Sequence, residues 1–464
     1  MRKEPTLAQA ALLFGASVAT VVLGLRLKAG MQLPVLLGVA VAAIGARMLG
    51  IRWPKIQAAM FSGVTDGMPA VSILLLVGAT IGLWIAGGAI PTMIWYGLKW
   101  LNPSTLVPAA CILTALVASA TGTSFGTIAT IGLALMGIGE ASGVPAPLLA
   151  GAIVSGAYFG DKMSPMSDTT NVAPAVSGAT LYEHISSMVA TTLPSLLLAV
   201  AGFWVLGRTA APPSTGVEAM LAHRATLESA FRLGPLTLIP VLTLAILSIR
   251  KVPAVPALAT SLVVSAITVM AVQGMGILPI AKIASDGFVS KTGSPMFDSL
   301  LTRGGVMAMM PTVLLIIGAT AMGGVLKESG APERLVKEVL ARVKSAGGLV
   351  ISVISACYLT LLASGNQMLA IILPGQAFKE AFPRRGIHPK VLSRTLEDAG
   401  TLGAPLVPWS TASLFIYGVL KVPATAYARY ALLNWMVPIV AIGYALTGMF
   451  LWKEKNETKE EDVK

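Results

Sequence analysis

The chain has 464 residues, of which 55% are hydrophobic and only 12% charged, and its mean hydropathy is +0.79. A soluble domain carries roughly a quarter charged residues, so that class is excluded. The net charge of +12 sits in the connections between apolar runs, where it reads as membrane-face anchoring and topology signals rather than as a nucleic-acid surface.

Apolar runs of about 20 residues recur along the whole length, and the period-2 alternation of a β-barrel is absent. The expectation is an all-α polytopic membrane protein with roughly ten to thirteen hydrophobic segments. Spans are expected at about Leu7–Leu25 and Leu33–Leu49. Ile51–Gly67, with Trp53, Lys55, Met60 and Phe61, reads as a short amphipathic helix lying at the interface. Met68–Pro103 follows, with small-residue pieces (GATIG, AGGAIP) that allow close packing or a break. Leu106–Leu116 leads into the hydroxyl- and glycine-rich ASATGTSFGTIATIG, Ala118–Gly132, which reads as a re-entrant hairpin tip. Leu148–Tyr158 leads into GAYFGDKMSPMSDTTN, Gly156–Asn171, and Met188–Leu206 closes the first half.

Gly207–Phe231 is the longest polar connection and the natural midpoint. Spans follow at about Leu233–Leu247 and Val255–Val272. Lys282–Arg303 reads as a loop, Met309–Leu326 as a span and Lys327–Ser345 as an exposed amphipathic helix. Gly348–Leu362 leads to a second tip, Ala363–Gly375. A basic connection precedes TLEDAGTLGAPLVPWSTAS, Thr395–Ser413, and a last span covers about Leu432–Leu451. The domain reading is a first repeat over 1–206, a central polar linker over 207–231, a second repeat over 232–452 and a charged, solvated tail over 453–464.

The repeat is carried by spacing. Gly122 and Gly365 lie 243 apart (365 − 122), as do Gly160 and Gly403, Pro165 and Pro408, and Ser167 and Ser410. Thr170 falls opposite Ser413 at the same offset. Interrupted helices that meet near the midplane are where repeat-built transporters bind substrate: helix N-termini face anions and unwound carbonyls coordinate cations. Four elements are therefore expected to converge, namely tips at Thr121–Ser124 and Ser364–Gln367 and breaks at Gly160–Thr170 and Gly403–Ser413. The fold expected is two inverted structural repeats with re-entrant hairpins and broken transmembrane helices.

Charges at membrane depth are expensive and usually functional. Asp161 and Asp168 are the first candidates for an Na+/H+ site, with Ser164, Ser167, Thr169, Thr170, Thr123 and Ser124 to complete or position it, because a hard cation takes carboxylate, hydroxyl and carbonyl oxygens. Burial disfavours a bare carboxylate, so such a group holds either a proton or a cation, which suffices for antiport. Helix capping and pairing with Lys162 are the structural alternatives for Asp161. Lys162 is either a built-in countercharge replacing an ion or a snorkelling lysine. Glu397 and Asp398 are proton carriers or partners of Arg394 on one helix face. Ser364, Gly365, Asn366, Gln367, Ser410 and Thr411 form the substrate site of the second repeat, with packing as the alternative for Asn366 and Gln367. His184 reads as an interfacial anchor, with pH sensing as its alternative. Cys111 and Cys357 pack as small hydrophobes. No cofactor is expected. The lipid bilayer, Na+ and H+ are the partners, and a homodimer stays open.

Two enzyme patterns fail on context. GTSFG, Gly122–Gly126, matches a nucleophile elbow but lacks the strand-turn-helix setting that motif requires. FGD, Phe159–Asp161, has Tyr158 where an intramembrane aspartyl protease carries its first glycine. A passive channel is a third alternative, against which the duplicated breaks weigh.

The strings GATIGLWIAGGAIPTMIWYGL, TGTSFGTIATIG, SGAYFGDKMSPMSDTTNVAPAVSGATLYEHI, LLTRGGVMAMM, MGGVLKESG and LSRTLEDAGTLGAPLVPWSTAS resemble the NhaC family of Na+/H+ antiporters, within the larger ion-transporter superfamily, over roughly Met68–Pro438. The resemblance implies secondary transport across the cytoplasmic membrane, with Na+ exchanged for H+ or, in some members, Na+ and lactate exchanged for H+ and malate. A Na+- or H+-coupled organic-anion or amino-acid transporter is thus the alternative. The superfamily implies elevator-type alternation of a mobile domain against a scaffold. The chain departs from the family at its second tip, where Asn366 replaces the usual Asp of Gly-Asp-Gln. It departs again at Pro408–Ser413, where Pro-Trp-Asn-Thr-Cys-Gly is usual, and at Phe125, which replaces a tryptophan.

Overall fold

A computed structural model describes residues 4–27, 30–100, 103–210, 217–250, 252–343 and 345–453. The tail over 454–464, the N-terminal Met1, Arg2 and Lys3, and Lys28 lie outside the described residues, so the readings placed on them are not addressed. Among the described residues every regular element is helical, with one isolated bridge between Ile387 and Lys453. Among the described residues eight helices are long and apolar enough to cross a membrane, and the number rises to 11 when bent pairs count as single spans. The exterior is apolar, with Leu12, Leu36, Leu197, Val263 and Ile439 all exposed. The interior holds a large set of buried serines and threonines. A chain that meets lipid outside and places its polar groups inside follows from the cost of an unsatisfied polar group in hydrocarbon.

Two expected elements are corrected. Ile51–Gly67 is not a separate interfacial helix. It opens a single helix, Trp53–Ala86, of 34 residues that continues through Pro69. At 1.5 Å per residue that helix is about 51 Å long, against a hydrocarbon core of roughly 30 Å, so one rod accommodates both the polar opening turns and a full span. Lys282–Arg303 is not simply a loop either: the helix Ile277–Asp286 runs into it and Pro295–Leu301 is helical within it.

Helix ends recur at one spacing. Pro103–Thr121 and Ala346–Ser364 begin 243 apart (346 − 103) and end 243 apart (364 − 121). The helices that follow them start at Ser124 and Gln367, the next at Ala146 and Pro389, and the short helices Asp168–Ser177 and Thr411–Leu420 match at both ends, all at the same offset. Between the arm and its return helix, Gly122 (φ 70°) and Gly365 (φ 62°) both take the left-handed conformation that glycine adopts without penalty. Thr123 then caps the first return by accepting from the Gly126 amide (3.2 Å), and Asn366 caps the second by accepting from Leu369 (3.1 Å).

Ala146–Met163 packs along Pro103–Thr121 through Gly156 and Gly160. A Cβ at Gly156 would strike the Cys111 carbonyl, and one at Gly160 would strike the Ala115 carbonyl and the Ser119 amide. Glycines four apart on one face let two helix backbones approach closely, which fixes the register of the first broken helix against its hairpin arm.

Candidate ion-binding site

The first broken helix consists of Ala146–Met163, an unwound turn from Ser164 to Ser167, and Asp168–Ser177. Pro165 denies a backbone donor and Ser167 stands in extended backbone, so the helix stops and restarts. Stopping it there frees backbone carbonyls, which neighbouring side chains then bond. Thr170 Oγ1 donates to the Lys162 carbonyl (2.9 Å), and Asn171 Nδ2 donates to the carbonyls of Pro165 (3.0 Å) and Ser167 (2.8 Å).

Asp161 lies at the end of the first limb, 8% exposed. Its Oδ2 accepts from Ser124 Oγ at 2.6 Å, which joins the break to the hairpin tip, and Ser167 also faces its carboxylate. Ser167 and Thr169 share a hydroxyl contact of 3.0 Å. Tyr158, fully buried one turn back, presents an unpartnered hydroxyl to the same region. Asp161, Ser124, Ser164, Ser167, Thr169 and Thr170 are all buried; Ser124 and Ser167 meet the Asp161 carboxylate and Thr170 its carbonyl, whereas the Ser164 hydroxyl accepts from the Met166 amide. Asp168 is exposed, at the first position of its short helix, where a carboxylate complements the helix dipole. Thr123 spends its oxygen on the cap already described. Among the described residues no three His, Cys, Asp or Glu side chains gather as a transition metal would need. The donors here are hydroxyls, one buried carboxylate and main-chain carbonyls, the set a hard cation takes.

The second break differs in detail. Ser410 accepts from the Ser413 amide (3.0 Å) and donates to the Ala404 carbonyl (2.5 Å), and Ser413 Oγ donates to the Val407 carbonyl (2.5 Å). The Thr411 amide and hydroxyl both reach the Gly365 carbonyl, at 2.9 and 3.4 Å, which ties the break to the second tip. Ser364 donates to the Thr360 carbonyl (2.8 Å). Gln367 opens the return helix, partly buried. The two sets touch where Phe125 stacks on Phe415, with ring centroids 4.3 Å apart.

Three charged residues take positions the sequence left open. Lys162 does not snorkel: it is fully buried and pairs with Asp398. Thr191 Oγ1 donates to the same Asp398 oxygen (3.0 Å), and Arg394 approaches the other at 3.8 Å. Asp398 thus partners Lys162 across 236 residues first and Arg394 second. Glu397 is fully buried with neither carboxylate oxygen hydrogen-bonded, facing Lys162, Asp161, Thr169 and Thr401. His184 is fully buried, with its Nδ1 2.7 Å from Ser393 Oγ. Thr191 and Tyr158 were missed by the sequence reading. Tyr158 lies within the GAYFGD stretch but reads there only as a mismatch to a protease motif, and Thr191 sits beside Thr192 in a helix whose hydroxyls carry no spacing signal.

A family model described as the Na+/H+ antiporter family matches residues 156–449. The chain belongs to that family. It is 35% identical to the Na+/H+ antiporter NhaC of Alkalihalophilus pseudofirmus, covering 98% of this chain and 99% of that protein. It is 34% identical to the malate-2H+/Na+-lactate antiporter of Bacillus subtilis (98% and 97% covered) and 32% identical to the arginine/ornithine antiporter ArcD of Halobacterium salinarum (99% and 96% covered). As a member of the antiporter family the chain is a multi-pass membrane transporter. The match begins at Gly156, so it takes in the whole of the first break.

Proposed function

We propose that this protein exchanges Na+ for H+ across the cytoplasmic membrane by alternating access, with Asp161 as the carboxylate that holds either ion. One observation carries the reading. Asp161 is a buried carboxylate at a helix break, bonded to a hairpin-tip hydroxyl and lined by further hydroxyls. A buried negative charge needs compensation, and a proton or a sodium ion supplies it equally well in charge, though not in geometry. A proton adds to one carboxylate oxygen. Sodium recruits several oxygens at once, from Ser124, Ser167, Thr169 and freed carbonyls. Because one carboxylate serves both, the ions exclude each other, and exclusion at a site that opens alternately to two sides yields exchange. The recurrence of helix ends at 243 supports two structural repeats, inverted as in repeat-built carriers, with the tips and breaks moving as an elevator body. Glu397, unpartnered nearby, is a second carrier of the proton.

In everted vesicles, the wild-type protein is expected to give a sodium-dependent change in luminal pH and Asp161→Asn none. Wild-type activity in that variant rejects the assignment.

A second reading rests on Asn366. The second tip offers a neutral amide beside helix N-termini, which suits an organic carboxylate, and relatives named for malate, lactate and arginine exchange make that class relevant. Labelled malate, lactate and arginine flux in proteoliposomes separates the two. Robust Na+-driven proton movement without organic flux rejects the second reading.

A further inference from the structure

The ammonium of Lys162 sits in oxygen surroundings that are themselves those of a cation site. Asp398 Oδ1 meets both Lys162 Nζ and Thr191 Oγ1, and all three residues are buried at 0% exposure. Asp398 Oδ2 has no hydrogen bond, and Arg394 Nε, itself unpartnered, stands 3.8 Å from it. The Thr191 hydroxyl has an alternative acceptor in the Met188 carbonyl at 3.3 Å. It can therefore turn its proton away from Asp398 and present a lone pair to a bare ion. Glu397, next in sequence and with both oxygens free, borders the same space and faces Lys162. His184 and Cys357 are the other titratable side chains nearby; the former faces Lys162 and the latter faces Asp398 and Glu397.

We propose that the corner formed by Asp398, Thr191 and the free oxygens of Glu397 is a second monovalent-cation site, and that the Lys162 ammonium is its permanent, tethered occupant. A tethered cation neutralises Asp398 in every conformation but cannot leave with the cargo. Asp161, one residue away in sequence, is left as the site of the one exchangeable cation. This consequence for transport rests on the reading of Asp161 given above. The site itself does not, because its test is binding rather than exchange.

The test uses the full chain in detergent, comparing wild type, Lys162→Ala and the double variant Lys162→Ala with Asp398→Asn. Na+ stoichiometry is measured with the radioisotope, and melting is followed in sodium chloride and in choline chloride of equal ionic strength. Wild type is expected to bind one Na+ per chain. Lys162→Ala is expected to bind two, and to fold or melt higher in sodium than in choline by a clearly larger margin than wild type. The double variant, with no carboxylate left uncompensated at 398, is expected to lose the extra ion and the extra margin. A wild type that binds no Na+ beside a Lys162→Ala protein that binds one would count against the Asp161 reading and leave the corner standing. A Lys162→Ala protein that behaves alike in the two salts, whether folded in both or unfolded in both, overturns the proposal. So does one that binds no more Na+ than wild type.

Discussion

The two broken helices start and stop in register, yet they spend their oxygens differently. In the second, Ser410 and Ser413 bond the main chain of their own turn, closing it on Ala404 and Val407, and Thr411 bonds Gly365. In the first, the equivalent of Ser410 is Ser167, which makes no such cap; its hydroxyl meets Thr169 and faces Asp161 instead. The position matching Asp161 is Ala404, which has no side-chain oxygen to offer (404 − 161 = 243). The same backbone break is therefore closed on its own main chain in one half and lined by a buried carboxylate and hydroxyls in the other. On the reading proposed for Asp161, the carboxylate competes for hydroxyls that the second break spends on its own backbone.

The sharpest way to break this comparison is at the glycines that seat each helix. A side chain at Gly160 meets main-chain atoms of Ala115 and Ser119, which cannot move aside. One at Gly403 meets the ring of Tyr358 and the tip of Leu361, which can. Gly160→Ala is expected to abolish monodisperse expression, and Gly403→Ala to leave a folded protein with a modestly lower melting temperature. Equal tolerance at both positions would show that the two helices are seated alike. Next in size is the hydrogen bond from Ser124 to Asp161. Hydrogen bonds to charged groups contribute about 1.5–3 kcal/mol, so Ser124→Ala should raise the sodium KM by about tenfold or more in vesicle assays. Gln367→Ala, at the matching position of the second half, should leave it nearly unchanged.

Asn366→Asp is expected to have a smaller effect. Asparagine and aspartate cap helices about equally, and the Asn366 oxygen is already used on the Leu369 amide. The variant should fold normally, with its melting temperature close to wild type, and should shift the sodium KM less than Ser124→Ala does. A larger shift would make the second tip an ion ligand and erase the asymmetry.

Much of this was legible in the chain itself. Charged and hydroxyl residues inside an apolar run mark their own importance, because lipid tolerates them only when they are satisfied, and glycines and prolines at constant spacing mark the breaks. The partners were not legible. Lys162 and Asp398 lie 236 residues apart, and nothing in either segment says which buried acid a buried base will meet. Asp161 and Asp168 look equivalent in GDKMSPMSDTTN, yet one ends a helix facing inward and the other begins a helix facing outward. A turn of only four residues between them reverses which way a carboxylate points. The joining of Ile51–Gly67 to the following span was hidden for another reason: its charged and aromatic residues read as an interfacial helix, yet the helix runs unbroken through Pro69 into the apolar span.

The smallest expected effect lies where the two short helices end. Gly178 and Lys421 occupy matching positions (421 − 178 = 243), and both take left-handed backbone, with φ of 86° and 60°. Each donates its amide back to close the last turn, to Pro174 and to Tyr417 respectively. Glycine does this without steric cost, whereas a residue with a Cβ gives up about 1–2 kcal/mol in that conformation. Part of that advantage is returned because glycine loses more freedom on folding, about 0.5–1 kcal/mol. Lys421 is exposed and its ammonium stands near the Arg303 guanidinium, so its replacement also relieves a like-charge contact. Lys421→Gly should therefore stabilise the protein by about 0.5–1 kcal/mol, and Gly178→Ala should destabilise it by a similar amount, both read as shifts of the detergent melting temperature. If Lys421→Gly instead lowers the melting temperature, the lysine side chain contributes more to the end of the second break than its backbone strain removes. The two ends would then differ in function as the two breaks do.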